Sequence, residues 1–149
     1  MGSASSSSRK RLIGHPVMFS ESDPGLAELR KLALALPEAA EQISWGRPVF
    51  KAGTAKAGKI FAMFGGNAKG ATKGDMIAYP YSVLIKVDDS ERQALLQDER
   101  FFYPAYMGPF GWLGLDFDAA EVDWDEVAEL LDASYRLIAT KRLITLLDS

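Results

Sequence analysis

The chain has no cysteine and one histidine, His15. Without cysteine there can be no disulfide, thiolate nucleophile or cysteine-ligated zinc. His15 falls in a serine-rich N-terminal stretch, so the rest of the chain lacks the side chain most used for proton transfer near neutral pH. Long apolar runs are also missing: none approaches the roughly 18 residues that a membrane-crossing helix requires. The first residues carry no apolar segment of the signal-peptide kind. The expectation is a soluble, cytoplasmic, non-enzymatic protein with no metal site, no cofactor and no membrane partner.

What is present fits one domain. A chain of 149 residues, 48% hydrophobic and 25% charged, has an ordinary globular composition. At that length it can bury about two thirds of its unfolded surface. Residues 1–22, with four consecutive serines and then Arg9-Lys10-Arg11, have too little apolar content to order themselves and read as a flexible tail. Residues 23–149 read as one continuous domain.

Charge is unevenly placed along this domain. From Arg47 to Lys86, seven bases (Arg47, Lys51, Lys56, Lys59, Lys69, Lys73 and Lys86) stand against one acid, Asp75, giving +6. From Asp116 to Asp132 there are eight acids and no base, and the whole chain is −3. Such segregation can orient a charged partner. Lysines that only keep strands solvated are the competing reading.

Periodicity gives an α+β order of elements. Asp23-Pro24 reads as a helix start, with Asp23 as cap and Leu26, Leu29, Ala33 and Leu36 at helical spacing. After an acidic turn through Glu38 and Glu41, Gly46 and Pro48 mark a bend into a strand ending near Lys51. Lys59–Phe64 and Tyr81–Val87 read as further strands, and Asp88-Asp89-Ser90 caps a short helix over 91–98. Residues 101–118 hold close to half of the aromatics in two runs divided by Met107-Gly108-Pro109-Phe110-Gly111, the pattern of a hairpin. A long helix, Trp124 to Leu147, is striped with apolar residues and offers the surface on which those aromatics would bury.

Three polar arrangements suggest chemistry and fall short of it. Gly65 to Gly74 has phosphate-loop glycine spacing, but Ala71-Thr72 stand where Lys and Ser/Thr are required, so it reads as a mobile loop. Asp116 and Asp118 share a strand face, which is thin support for a cation site. Ser134 and Lys141 share a face of a continuous last helix, yet two turns separate them by about 10 Å. No oxyanion-hole pattern accompanies them. A bond from Ser134 back to a carbonyl is the better reading.

A series of short motifs resembles the MmcQ/YjbR family. They are Leu36-Pro37-Glu38, Trp45-Gly46-Arg47-Pro48-Val49-Phe50-Lys51, Lys59-Ile60-Phe61-Ala62, Leu84-Ile85-Lys86-Val87, Tyr103-Pro104-Ala105-Tyr106, Gly111-Trp112-Leu113 and Ser134 to Leu143. Their order and spacing cover about residues 26 to 145. The resemblance implies an α+β fold of the YjbR/CyaY-like kind: an antiparallel sheet of about five strands, an N-terminal helix and a long C-terminal helix. It also implies DNA binding through a double-wing arrangement. Within the motifs Arg47, Lys51, Lys59 and Lys86 would serve that role; Lys56, Lys69 and Lys73 join them from neighbouring loops. The chain departs from the family in residues 107–111, which hold none of the histidine and basic residues some members carry there.

Two functions follow as expectations. The first is DNA binding by the basic segment 47–86. The second is a binding module for a small anionic molecule or a protein partner, with Trp45, Tyr106, Phe110 and Trp112 around a pocket. Residue types alone do not give an oligomeric state.

Overall fold

The computed structural model describes residues 16–149. Arg9-Lys10-Arg11 and His15 lie outside that range. Within the expected tail, the Met18 N–H donates to the Gly46 carbonyl at 2.9 Å, and Phe19 packs against the helix-side core.

Strand alternation organises the fold. Six strands form one antiparallel sheet: β1 (Ala39–Ser44), β2 (Arg47–Ala52), β3 (Lys59–Lys69), β4 (Met76–Lys86), β5 (Phe101–Phe102) and β6 (Trp112–Asp116). Their spatial order is β1-β2-β3-β4-β6-β5, one strand more than the sequence indicates. Successive side chains point to opposite faces, so each strand serves two cores. Phe50, Phe64, Val83, Ile85, Leu113 and Leu115 go to one face, and Val49, Met63, Leu84, Phe102 and Trp112 to the other.

Helices cover the first face. They are α1 (Leu26–Leu34), α2 (Asp89–Leu96), α3 (Trp124–Ile138) and α4 (Lys141–Asp148). Leu26 and Leu29 of α1, Val127, Leu131 and Tyr135 of α3, and Leu143 of α4 complete the main core. Asp123 caps α3 by accepting from the Asp125 and Glu126 N–H groups. Ser134, fully buried, donates to the Phe61 carbonyl at 2.6 Å and accepts from the Lys86 N–H at 2.9 Å. One hydroxyl thereby ties α3 to β3 and β4.

Several expectations change. The last helix is two helices, because Ala139 is extended and the Thr140 hydroxyl caps a new start at the Leu143 N–H. Ser134 and Lys141 therefore do not share a helix face. The start of α1 moves to Leu26, since Asp23 turns its carboxylate to the Ser20 N–H and Gly25 takes the cap position in the left-handed region. The glycine-rich stretch is mostly strand: Gly66, Asn67, Ala68 and Lys69 pair with Tyr79, Ala78, Ile77 and Met76, leaving a turn over 70–75. The acidic stretch through Glu38 and Glu41, read as a turn, runs instead into the edge strand β1. Phe101 and Phe102 do pair with β6, but the connection is a long crossing loop with a 3₁₀ turn at Gly108–Phe110. Phe102 and Trp112 bury under that loop, away from the last helix.

Candidate functional site

The open face of the sheet holds a cavity where β2 and β3 separate. β2 pairs with β3 from Val49↔Met63 to Ala52↔Lys59, while Gly65 interrupts the ladder between β3 and β4. Gly65 has φ +84, and a Cβ there would lie 2.3 Å from Nη1 of Arg47. The backbone conformation therefore favours glycine, and a side chain there would push the guanidinium aside. Arg47, two residues before Val49, points to the same face as Val49, and its side chain lies across the Gly65 backbone.

Arg47 is the unusual charge of this molecule. Only 8% of it is exposed. The other five arginines among the described residues each meet a carboxylate: Arg30 with Glu21 and Glu41, Arg92 with Asp89, Arg100 with Asp98 and Glu126, Arg136 with Asp132 and Asp148, and Arg142 with Glu38. Arg47 has no carboxylate or side-chain hydrogen-bond partner among the described residues. Burial lowers its pKa from the ordinary arginine value. A guanidinium that starts so high stays charged at neutral pH.

The guanidinium borders a cavity of about 320 Å³, at the small end of the range for ligand sites. Met63, Met76, Met107 and Leu84 supply apolar walls, and Trp45 and Tyr106 stand at its edge. Trp45 is 54% exposed and Tyr106 71%. Each holds a positive φ, +53 and +67, which bulky side chains rarely adopt. For Trp45 the cause is local. Trp45-Gly46 forms the two-residue turn of the β1–β2 hairpin with both φ angles positive, the type I′ pattern in which asparagine usually takes the first place. For Tyr106 the neighbouring Ala105 N–H is anchored to the Asn67 carbonyl at 2.8 Å. Strain of this kind concentrates at binding sites.

The other candidates are distributed as follows. Trp112 is buried beside Phe102 and does not line the cavity; Phe110, 72% exposed, lines a neighbouring hollow with Tyr103 and Pro109. Lys69 and Lys73 sit at the β3–β4 turn, with the Lys69 Nζ 5.4 Å from the centre of the Tyr106 ring. Lys51, Lys56 and Lys59 are at the opposite end of β3, about 33 Å away for ten strand residues. Lys51 donates to the Ala55 carbonyl at 2.8 Å. Lys51 is opposite Ile60 and Lys59 opposite Ala52, which places these two lysines on different faces. Lys86 is opposite Trp112, on the open face at the Lys51 end.

Sequence reasoning did not find Gly65, Met63, Met76, Leu84 and Met107 as parts of a site. The available signal was the pair Gly65-Gly66 after an apolar strand, which marks a bulge or a close approach. Asp116 and Asp118 form a local turn, the Asp118 N–H donating to the Asp116 carboxylate at 3.0 Å. Among the described residues no group of acids and histidines could hold a metal, and no helix is long and apolar enough to cross a membrane.

Known proteins place this architecture. The crystal structure of the Deinococcus radiodurans protein DR2400, described with a DUF419 domain, is similar to it with a TM-score of 0.61. The two share 22% identity over 83% of this chain and 87% of the other, a likeness of fold. None of the curated proteins matches the chain. The model of the YjbR family matches residues 34–137, from the end of α1 to the end of α3. That span is more than half of the 149 residues and contains Trp45, Arg47, Gly65 and Tyr106, and on it the chain belongs to the YjbR family.

Proposed function

We propose that this protein is a non-enzymatic binding module whose ligand is a small organic anion, held in the open-face cavity by Arg47. The observation that carries this reading is the buried guanidinium that meets no carboxylate among the described residues. A buried charge is costly unless paired, and its partner here is supplied by the ligand. The apolar walls supply the remaining affinity, and low dielectric strengthens the ion pair.

Calorimetric titration of benzoate and of phenyl phosphate into the wild type and Arg47→Met tests it. At least one of the two should bind the wild type, with that binding lost in the variant. Absence of binding by both, or equal binding to both proteins, overturns it.

DNA binding has one observation in its favour: Lys69 and Lys73 are exposed together at the tip of the β3–β4 hairpin. Two phosphate contacts give a slope of log affinity against log salt of about −2. Asp75 in the same turn offsets part of that charge. Fluorescence anisotropy with a labelled mixed-sequence duplex at two salt concentrations, for wild type and Lys69→Glu/Lys73→Glu, measures it. No binding at low salt removes this reading.

A further inference from the structure

Resting on the proposed anion site, we infer that its ligand class is a flat, monoanionic carboxylic acid: an arene carboxylate with its carboxylate on Arg47 and its ring against the methionines and the rim aromatics. Three features of the cavity select this class.

Charge comes first. Arg47 is the only side chain charged at neutral pH among the described residues that line the cavity. A carboxylate neutralises it one for one, and its two oxygens match the planar fork of the guanidinium. A phosphate monoester dianion would leave one negative charge in a site with no second cation among its described lining residues. Lys69 and Lys73 line the adjoining hollow at the hairpin turn instead.

Polarity comes second. The walls around Arg47 are mostly Met63, Met76, Met107 and Leu84; Asn67, with Trp45 and Tyr106 at the edge, supplies the few other polar side chains among the described lining residues. A sugar or nucleoside carries more hydroxyl groups than these few side chains can re-pair, so most of them would lose water there without replacement. The body of the ligand is therefore apolar.

Shape comes third. Thioethers make favourable contacts with aromatic rings and adapt to a planar outline. Three of the five methionines of the chain line this one cavity. Trp45 and Tyr106, both held at positive φ, present their ring surface at its edge although neither is needed for the core. A ring lying among them gains stacking that a puckered body of equal size does not.

The experiment compares four probes by calorimetry at pH 8, where the phosphate is a dianion: 2-naphthoate, 2-naphthyl phosphate, cyclohexanecarboxylate and the uncharged 2-naphthalenemethanol. We expect 2-naphthoate to bind at least tenfold more tightly than each of the other three. Its affinity should fall at least tenfold in Arg47→Lys, which keeps the charge and loses the fork, and at least threefold in Trp45→Ala. Circular dichroism and thermal unfolding establish that each variant is folded. Tighter binding of 2-naphthyl phosphate overturns the carboxylate class and leaves the anion site standing. Equal binding of cyclohexanecarboxylate overturns the flat body. Equal binding of the alcohol, or full affinity in both Arg47→Lys and Arg47→Met, overturns the role of Arg47 and with it the anion site. No binding by any of the four overturns both.

Discussion

Replacing Arg47 by methionine should make the protein more stable, although it removes a long buried side chain. Methionine keeps an unbranched stem of similar reach and fills the same irregular space, so little packing is lost. The change also removes a charged residue that is only 8% exposed and that no carboxylate among the described residues balances. Burying an ion costs several kcal/mol after relaxation. The cavity is open to water, which returns part of that cost, leaving an expected gain of about 1–3 kcal/mol. For a chain of this length each kcal/mol corresponds to roughly 2–4 °C in Tm. Urea unfolding followed by circular dichroism would show a higher midpoint at an unchanged m value. Arg100→Met is the control, because it strands Asp98 and Glu126, whose carboxylates lie 2.7 Å from the guanidinium. The Glu126 and Asp98 side chains are 28% and 37% exposed, so screening limits the expected loss to roughly 1–2 kcal/mol. One substitution type should thus act with opposite sign at the two arginines. Destabilisation of more than about 1 kcal/mol by Arg47→Met would refute the reasoning, because Arg47 would then be holding the fold together without a ligand.

Gly65→Ala should lower stability by about 1–3 kcal/mol through its positive φ. It should also weaken anion binding, since the new methyl displaces Arg47; unaltered binding in a calorimetric titration would show that the guanidinium position is immaterial. Adding Arg47→Met to Gly65→Ala should recover part of the stability, a non-additivity that a double-mutant cycle in urea reads directly. Ser134→Ala should cost about 2–4 kcal/mol, because it leaves the Lys86 N–H and the Phe61 carbonyl buried without a partner; a urea midpoint equal to that of the wild type would contradict this. The side-chain and backbone hydrogen bonds of Arg100 hold the Asp98 carboxyl down to about 2. With a folded pKa below the unfolded one, its contribution is complete above about pH 4 and fades as pH falls toward about 2. Asp98→Asn should flatten the fall of the urea midpoint across that window, and an identical pH profile would discount the pair.

The strands with strong local character are readable in the sequence for a physical reason. Lys59–Phe64 and Tyr81–Val87 are dense in aromatic and β-branched residues, and both are central strands whose two faces are buried. β1 is an edge strand of ordinary composition, and its register is set by a turn with tryptophan in the place of asparagine, which no turn rule signals. The break at Ala139–Thr140 is hidden because the apolar spacing of α3 runs on into α4 through Ile144. Only the cap of Thr140 and the return of Asp148 to Arg136 at 2.7 Å expose it. Gly65 and Gly66 carry opposite messages in sequence and in space. Glycine usually interrupts structure, yet here Gly66 sits opposite Tyr79 in the ladder and Gly65 leaves room for Arg47.

The same difference explains why Arg47 is legible as a candidate while its role is not. Along the chain it opens a run of seven bases, and a one-dimensional count makes it one phosphate contact among several. In the sheet, alternation sends Lys51 and Lys59 to different faces, and the length of β3 separates both from Lys69 and Lys73. A sum of +6 thus becomes small exposed groups that salt screens within about 10 Å. Arg47 leaves that sum altogether, because the strand face it shares with Val49 and the bulge at Gly65 carry it under the surface. There a carboxylate at hydrogen-bond distance would meet its charge at low dielectric, and on the proposed reading that single pairing outweighs the exposed lysines. On the proposed reading, the anion-binding charge of this chain is the most buried base among the described residues, and the surface lysines keep the molecule in water.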